Sequence, residues 1–281
     1  MFARILIPVD FSDQSLQMFQ CVAQFCGKGN EEMILLNVMA KGDEVTDDQE
    51  RKVQELIDSI TNIDIKARFS TEIGSPVESI LDVAKKESIT MIAMASSGKG
   101  MAREFIVGST CLGVIRNSLI PVFLDKFEVT EEEGELVAVR RCANLFRTAI
   151  VPLDFSSCNK PVLEQLQYLI DNGLEKAVLF HTIDSSKYRV SDDTRFQWVK
   201  EELNKIKGEL EARTCDISTH VHFGSLVYNI LEVSREFNAS LIMMGTHGKS
   251  LLHEMTLGSV SEEVIRKATV SLLIIPCIGR G

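Results

Sequence analysis

The chain repeats itself, and that repeat constrains its fold more than any other feature. Ile5-Leu-Ile-Pro-Val-Asp-Phe-Ser12 returns as Ile150-Val-Pro-Leu-Asp-Phe-Ser156, which sets Asp10 against Asp154. Ile34-Leu-Leu-Asn-Val38 returns as Val178-Leu-Phe-His-Thr182, and Gly74-Ser75 as Gly224-Ser225. Gly74 lies 64 residues after Asp10, whereas Gly224 lies 70 after Asp154, so the second copy carries six more residues. The helical region Ser191–Arg213 is where that insertion is expected. A period this long, present twice, predicts two copies of one domain rather than a solenoid.

Within each copy, apolar runs alternate with amphipathic stretches. In the second copy, strands are predicted near 148–153, 176–183, 216–222, 240–244 and 270–275, and helices near 159–171, 192–213, 225–237 and 259–267. In the first copy, Arg4–Pro8 is the opening strand, Ser12 precedes a helix, and Ser75-Pro76 starts another with proline at its first position. The strands are continuous apolar runs, as in a parallel sheet covered on both faces. The fold class is therefore α/β, with two tandem doubly wound domains. The acidic stretch Lys126–Leu145, with Glu131-Glu-Glu-Gly-Glu135 in it, separates them. The domains are 1–126 and 147–281, with 127–146 as linker.

Ligands of such folds sit beyond the carboxyl ends of the strands, at the point where strand order reverses. Three features of each copy converge there. The first strand ends in Pro8-Val9-Asp10 or Pro152-Leu153-Asp154, a carboxylate suited to ribose hydroxyls or an adenine amino group. The second ends at Val38 or Thr182, where backbone can meet a base edge. After the fourth strand comes Gly245-x2-Gly248-x9-Gly258, then Ser259-Val260 at a helix start; His247 lies inside this loop. The first copy reads Ala95, Gly98, Gly108, Ser109-Thr110 at the same spacing. Glycines let the backbone come close, and free N–H groups at a helix start favour an anion. The plain alternative is that these glycines only make turns and Ser259 only caps a helix.

These residues resemble the universal stress protein family, whose nucleotide-binding members carry G-x2-G-x9-G-[ST] after the fourth strand and an aspartate ending the first. Asp154, Gly245, Gly248, Gly258 and Ser259 match in full; Asp10, Gly98, Gly108 and Ser109 match with Ala95 in place of the first glycine. The resemblance spans the chain apart from the linker. It implies five parallel strands per domain in the order 3-2-1-4-5, and ATP or AMP as ligand, the triphosphate with or without Mg. It also implies pairing of the two domains as an intrachain pseudo-dimer; a homodimer of chains is the further association considered. Ala95 excludes the positive φ that glycine would allow cheaply, so the first site is expected to be the weaker.

Other chemistries fit less well. Gly245-Thr-His-Gly-Lys-Ser250 has two residues where a P-loop needs four, and no Gly-x-Gly-x-x-Gly follows the first strand. Lys99, Lys249, Arg103 and His253 lie on the glycine loops, as phosphate contacts or as solvated side chains. His181 is expected to line the pocket. His220 and His222 share a strand face but lack a third ligand, so no metal site is expected. A net charge of −10 with no basic run argues against nucleic acid. No apolar run reaches a membrane span, and the reading is cytoplasmic. Seven cysteines without CxxC or CxxH spacing are expected to be reduced and mostly buried; Cys142 and Cys158 in particular have no activating context. The function expected is adenine-nucleotide binding in stress response by nucleotide-dependent regulation rather than turnover. The competing classes are a slow ATPase or a phosphoryl- or nucleotidyl-transfer enzyme, and an interaction protein with relic sites.

Overall fold

A computed structural model describes residues 2–23, 31–60, 65–96, 107–126, 128–132, 135–139, 146–184, 193–210, 214–248 and 257–277. The chain divides into two units, Met1–Ala143 and Asn144–Gly281. In the first, β1 (Arg4–Pro8), β2 (Glu31–Met39), β3 (Ile65–Ile73), β4 (Met91–Ala95) and β5 (Val122–Asp125) alternate with α1 (Asp13–Ala23), α2 (Asp47–Asp58), α3 (Pro76–Lys86) and α4 (Ser109–Asn117). All five strands are parallel, in the order β3-β2-β1-β4-β5. The order expected from the resemblance is thus the order observed.

The second unit follows the same plan. Strands β8 (Thr148–Pro152), β9 (Lys176–Ile183), β10 (Asp216–Phe223), β11 (Leu241–Gly245) and β12 (Ser271–Ile275) form the order β10-β9-β8-β11-β12. Helices α5 (Asn159–Asp171), α6 (Asp193–Glu209), α7 (Leu226–Glu236) and α8 (Ser259–Lys267) connect them. The extra residues of the second copy fall where the repeat placed them, since α6 has 17 residues against 12 in α2. Ser75 is the N-cap of α3, with Pro76 opening it.

Between the two copies the acidic segment is more ordered than a linker reading implies. Residues Glu128–Glu132 (β6) and Glu135–Val139 (β7) pair as an antiparallel hairpin, Glu132 opposite Glu135 and Glu128 opposite Val139. The run of glutamates hides this at the level of composition; Leu136-Val-Ala-Val139 and Val129 carry the strand propensity.

The central strands explain why a crevice forms. β1 is buried at Ile5, Leu6 and Ile7, β4 at Met91–Met94, and β8 and β11 likewise through four successive residues. Helices on both faces take these side chains out of water, which accounts for the absence of alternation. Yet β1 pairs with β4 only at Ile5–Met91 and Leu6–Ile92, and β8 with β11 only at Ala149–Leu241 and Ile150–Ile242. Beyond those pairs the carboxyl ends of the two strands are not paired with each other, and each unit opens at its switch point. At the opposite end of β1, Arg4 and Arg68 bridge Glu32 and Glu87 in a four-residue ion network.

Candidate nucleotide site

Each unit holds a crevice of about 320 Å3 at its switch point, the lower end of the range for small-molecule sites. In the second unit Pro152, Leu153, Asp154, Gly245, His247, Gly248, Gly258, Ser259 and Val260 all line it. In the first, Pro8, Val9, Asp10, Val38, Ala95, Gly108, Ser109 and Thr110 line the matching crevice. The sequence reading therefore gathered residues from three separate segments of each copy that the fold brings together. Thr182 is not on the wall; its hydroxyl accepts from Asn229 Nδ2 at 3.3 Å. Gly98, Lys99, Arg103, Lys249 and His253 lie outside the described residues.

The strand-one aspartate is built into a tight turn in both copies. Asp10 Oδ1 accepts from the Ser12 amide at 3.0 Å and the Ser12 hydroxyl at 2.5 Å. Asp154 Oδ1 accepts from the Ser156 amide at 2.9 Å and its hydroxyl at 2.6 Å. The Asn159 amide adds a third bond to Asp154 Oδ1 at 3.0 Å while its oxygen accepts from the Phe155 N–H at 2.7 Å. The residue after each aspartate is held in the left-handed region, Phe11 at φ 60 and Phe155 at φ 58. For a phenylalanine that conformation costs about 1–3 kcal/mol and persists only where neighbours enforce it. Both rings are so held: Phe11 meets Phe69 edge-on at 6.1 Å, and Phe155 stacks on His181 at 4.7 Å.

A second repeated device was not visible in the sequence. Asn37 Nδ2 donates to the Val9 carbonyl at 2.8 Å, and His181 Nδ1, as its N–H tautomer, donates to the Leu153 carbonyl at 2.6 Å. Two different side chains at one repeat position thus clamp the backbone just before the aspartate. His181 is buried and does not line the crevice as expected; its ring is used for packing and for this bond. The signal was the shared position Asn37/His181, both polar at the end of an apolar run.

Gly245, His247, Gly248 and Gly258 form the other wall of the second crevice. Thr246 N–H donates to the Ile275 carbonyl and the Gly258 N–H to the Thr246 carbonyl, both at 2.9 Å. Gly258 is the N-cap of α8 and Gly108 that of α4, and neither cap has a side-chain hydrogen bond. The first-turn N–H groups of both helices therefore reach the crevice without a capping oxygen, the arrangement that favours an anion. His247 adds a buried Nδ1 with no hydrogen-bond partner, an orphaned polar atom in the crevice wall that a ligand group would satisfy. Gly245 is not in the positive-φ region, so Ala95 brings no backbone strain to the first site. What separates the positions is space: a β-carbon on Gly245 would stand 3.2 Å from the His247 carbonyl.

Cysteines also differ from expectation. Cys158, the N-cap of α5, is disulfide-bonded to Cys277, just after β12. The two lie 119 residues apart, beyond the reach of any spacing rule, yet the fold sets their Cα atoms 5.1 Å apart. Cys21 is disulfide-bonded as well. Cys111 and Cys215 are free and buried. Cys111 lines the first crevice and donates to the Ala95 carbonyl at 3.1 Å; burial pushes its thiol up to about 12. Beside it, Lys126 is buried with no hydrogen-bond partner on Nζ, and burial brings its ammonium down to about 8.

The universal stress protein family model matches residues 1–126 and 145–276. The chain belongs to that family, in tandem form. As a whole it is similar to a universal stress protein of known crystal structure from Archaeoglobus fulgidus, at 25% identity and TM-score 0.71, covering 98% of this chain and 99% of that one. A putative universal stress protein from Pseudomonas aeruginosa shares the fold at 12% identity and TM-score 0.71, covering 98% and 93%. Universal stress protein MJ0577 of Methanocaldococcus jannaschii is 23% identical over 154 residues, which is 47% of this chain and 95% of that protein. A putative universal stress protein of Staphylococcus aureus is 33% identical over 109 residues, 36% of this chain and 66% of that protein. Among the described residues of this universal stress protein, no helix is long and apolar enough to cross a membrane. Among them, too, no group of three or more His, Cys, Asp or Glu is placed to hold a metal ion.

Proposed function

We propose that both crevices bind an adenine nucleotide, ATP or AMP, and that the protein acts in the cytoplasmic stress response through nucleotide-dependent conformation or association. The observation that carries this reading is the pairing of an uncapped helix N-terminus with a glycine-lined backbone wall, facing an ordered aspartate across about 320 Å3. Phosphates would take the first-turn N–H groups of α8 or α4 and the hydroxyl of Ser259 or Ser109. The base and ribose would lie against Pro152-Leu153-Asp154 or Pro8-Val9-Asp10, with His247 Nδ1 gaining a partner in the second site.

The reading assigns binding and not turnover. Asp154 Oδ1 already accepts three hydrogen bonds that hold its turn, and its other oxygen is packed against the glycine loop, so it orients ligand rather than activating water. The two copies are proposed to associate as a pseudo-dimer through β5 and β12, the last strand in each unit's own order, because an apolar edge strand requires cover. Nucleotide released from gently purified protein, identified by mass spectrometry, tests the first proposal. Association of separately expressed halves tests the second.

A further inference from the structure

We propose that the Cys158–Cys277 disulfide is a redox-modification site in the wall of the second crevice, and that its reduction by a dithiol loosens that crevice and weakens ligand binding there. Cys158 lines the crevice, buried, four residues after Asp154 and at the cap of α5. A β-carbon on Gly245 would touch the Cys158 β-carbon at 3.8 Å. Cys277 is half-buried, and its N–H donates to the Thr246 hydroxyl at 3.0 Å. Thr246 is the residue whose backbone holds both Ile275 and Gly258. The disulfide therefore ties the aspartate turn to the end of β12, and the Cys277–Thr246 hydrogen bond carries that tie on to Thr246, next to Gly245.

The first crevice has no counterpart. In the repeat register Gln14 stands where Cys158 does and Phe127 where Cys277 does. Two crevices of equal volume, built from one plan, thus differ in this covalent clamp, which only the second has. A clamp of this kind lowers the ordering entropy that a ligand must overcome, so the oxidised crevice is the tighter binder. In a reducing compartment, where we place the protein, disulfides are rare and those that form are mostly transient and redox-sensing.

The chemistry is thiol–disulfide exchange with a dithiol as the reductant. Its thiolate attacks the Sγ of Cys277, the more exposed of the two residues, forming a mixed disulfide and releasing Cys158 as thiolate. The reductant's second sulfur then attacks its own sulfur in the mixed disulfide and releases the Cys277 thiolate. The reductant leaves as its disulfide, and the two protein thiolates take up the two protons. Cys158 is the apt leaving group because the N-terminal end of α5, a 13-residue helix, stabilises a thiolate.

This inference rests on the nucleotide reading only for the identity of the ligand. Its test compares the full-length protein oxidised with diamide, the same protein reduced with dithiothreitol, and Cys277→Ser, which spares the bond to Cys21. Amide hydrogen exchange is followed in peptides spanning 152–159 and 241–248 without nucleotide, and ATP is then titrated by calorimetry. Faster exchange in both peptides in the reduced protein and in Cys277→Ser, with ATP affinity about tenfold lower at one of two sites, is expected. Reoxidation of the parent should restore both values. Unchanged exchange, or failure of diamide to link Cys158 to Cys277 in peptide maps, would overturn the inference. Faster exchange with ATP bound by neither form would support the redox site and instead defeat the nucleotide reading.

Discussion

Gly248 stands so close to Asp154 that a β-carbon on the glycine would lie 2.5 Å from Asp154 Oδ2. The aspartate cannot swing aside freely, because its other oxygen is held by Ser156 and Asn159. The motif's second glycine is thus a requirement of the strand-one aspartate as much as of any phosphate. The two ends of the signature are one contact.

Gly248→Ala should therefore displace either the aspartate turn or the loop. We expect nucleotide affinity at the second site to fall at least tenfold, with a stability loss of about 1 kcal/mol from local overpacking. Calorimetry with ATP, alongside thermal unfolding, separates the two effects. Unaltered affinity would show that the Asp154–Gly248 contact has no part in binding.

The third glycine should behave differently in the two copies. A β-carbon on Gly258 would meet the Thr246 carbonyl at 3.3 Å and His247 Cα at 3.4 Å, both backbone, whereas on Gly108 the nearest atom is the Ser96 carbonyl at 4.0 Å. Alanine is a poor N-cap at either position. The difference between Gly258→Ala and Gly108→Ala isolates the crowding, expected at about 1 kcal/mol in chemical denaturation. Equal losses would refute it.

Much of this was legible in the sequence, for identifiable reasons. Short continuous apolar runs such as Leu241–Met244 have the length and pattern of buried parallel strands, and the repeat checked each assignment against its twin. The crevice-lining residues were found because backbone-rich loops leave a glycine pattern. What stayed hidden depended on three-dimensional proximity. The Cys158–Cys277 pair spans 119 residues, and the clamp on the residue before the aspartate is asparagine in one copy and histidine in the other. The β6–β7 hairpin was masked by its own glutamates.

Lys126 gives a prediction in pH. Burial brings its ammonium from the ordinary 10.5 down to about 8, and the neighbouring Cys111 thiol, pushed up to about 12, supplies no thiolate to balance it. Between pH 8 and 10.5 the unfolded chain holds more protons on this residue than the folded one, so its contribution to stability rises with pH through that window. Below pH 8 the whole penalty of the buried charge is present. Lys126→Met should stabilise the protein by about 1–3 kcal/mol near neutrality, the scale of an unsatisfied buried polar group, and the gain should shrink towards pH 10. Denaturation curves across pH 7 to 10 check this; a gap independent of pH would contradict it.

The proposed association of the two copies predicts that fragments 1–143 and 144–281, expressed separately, form a heterodimer in sedimentation velocity. Leu273→Glu, a charge in the buried β12, should lower stability by several kcal/mol and weaken that pairing. Fragments that stay monomeric when mixed would defeat the pseudo-dimer.

What occupies the two crevices decides between binding and relic sites. Protein purified gently, without added nucleotide or chelator, should release an adenine nucleotide on heat denaturation, identified by mass spectrometry and counted per chain. ATP or AMP is expected at up to two equivalents per chain, with a lower yield from Gly258→Val. Parent protein that releases no nucleotide, and that shows no heat of binding when ATP or AMP is titrated into it, would show that the crevices are not adenine-nucleotide sites.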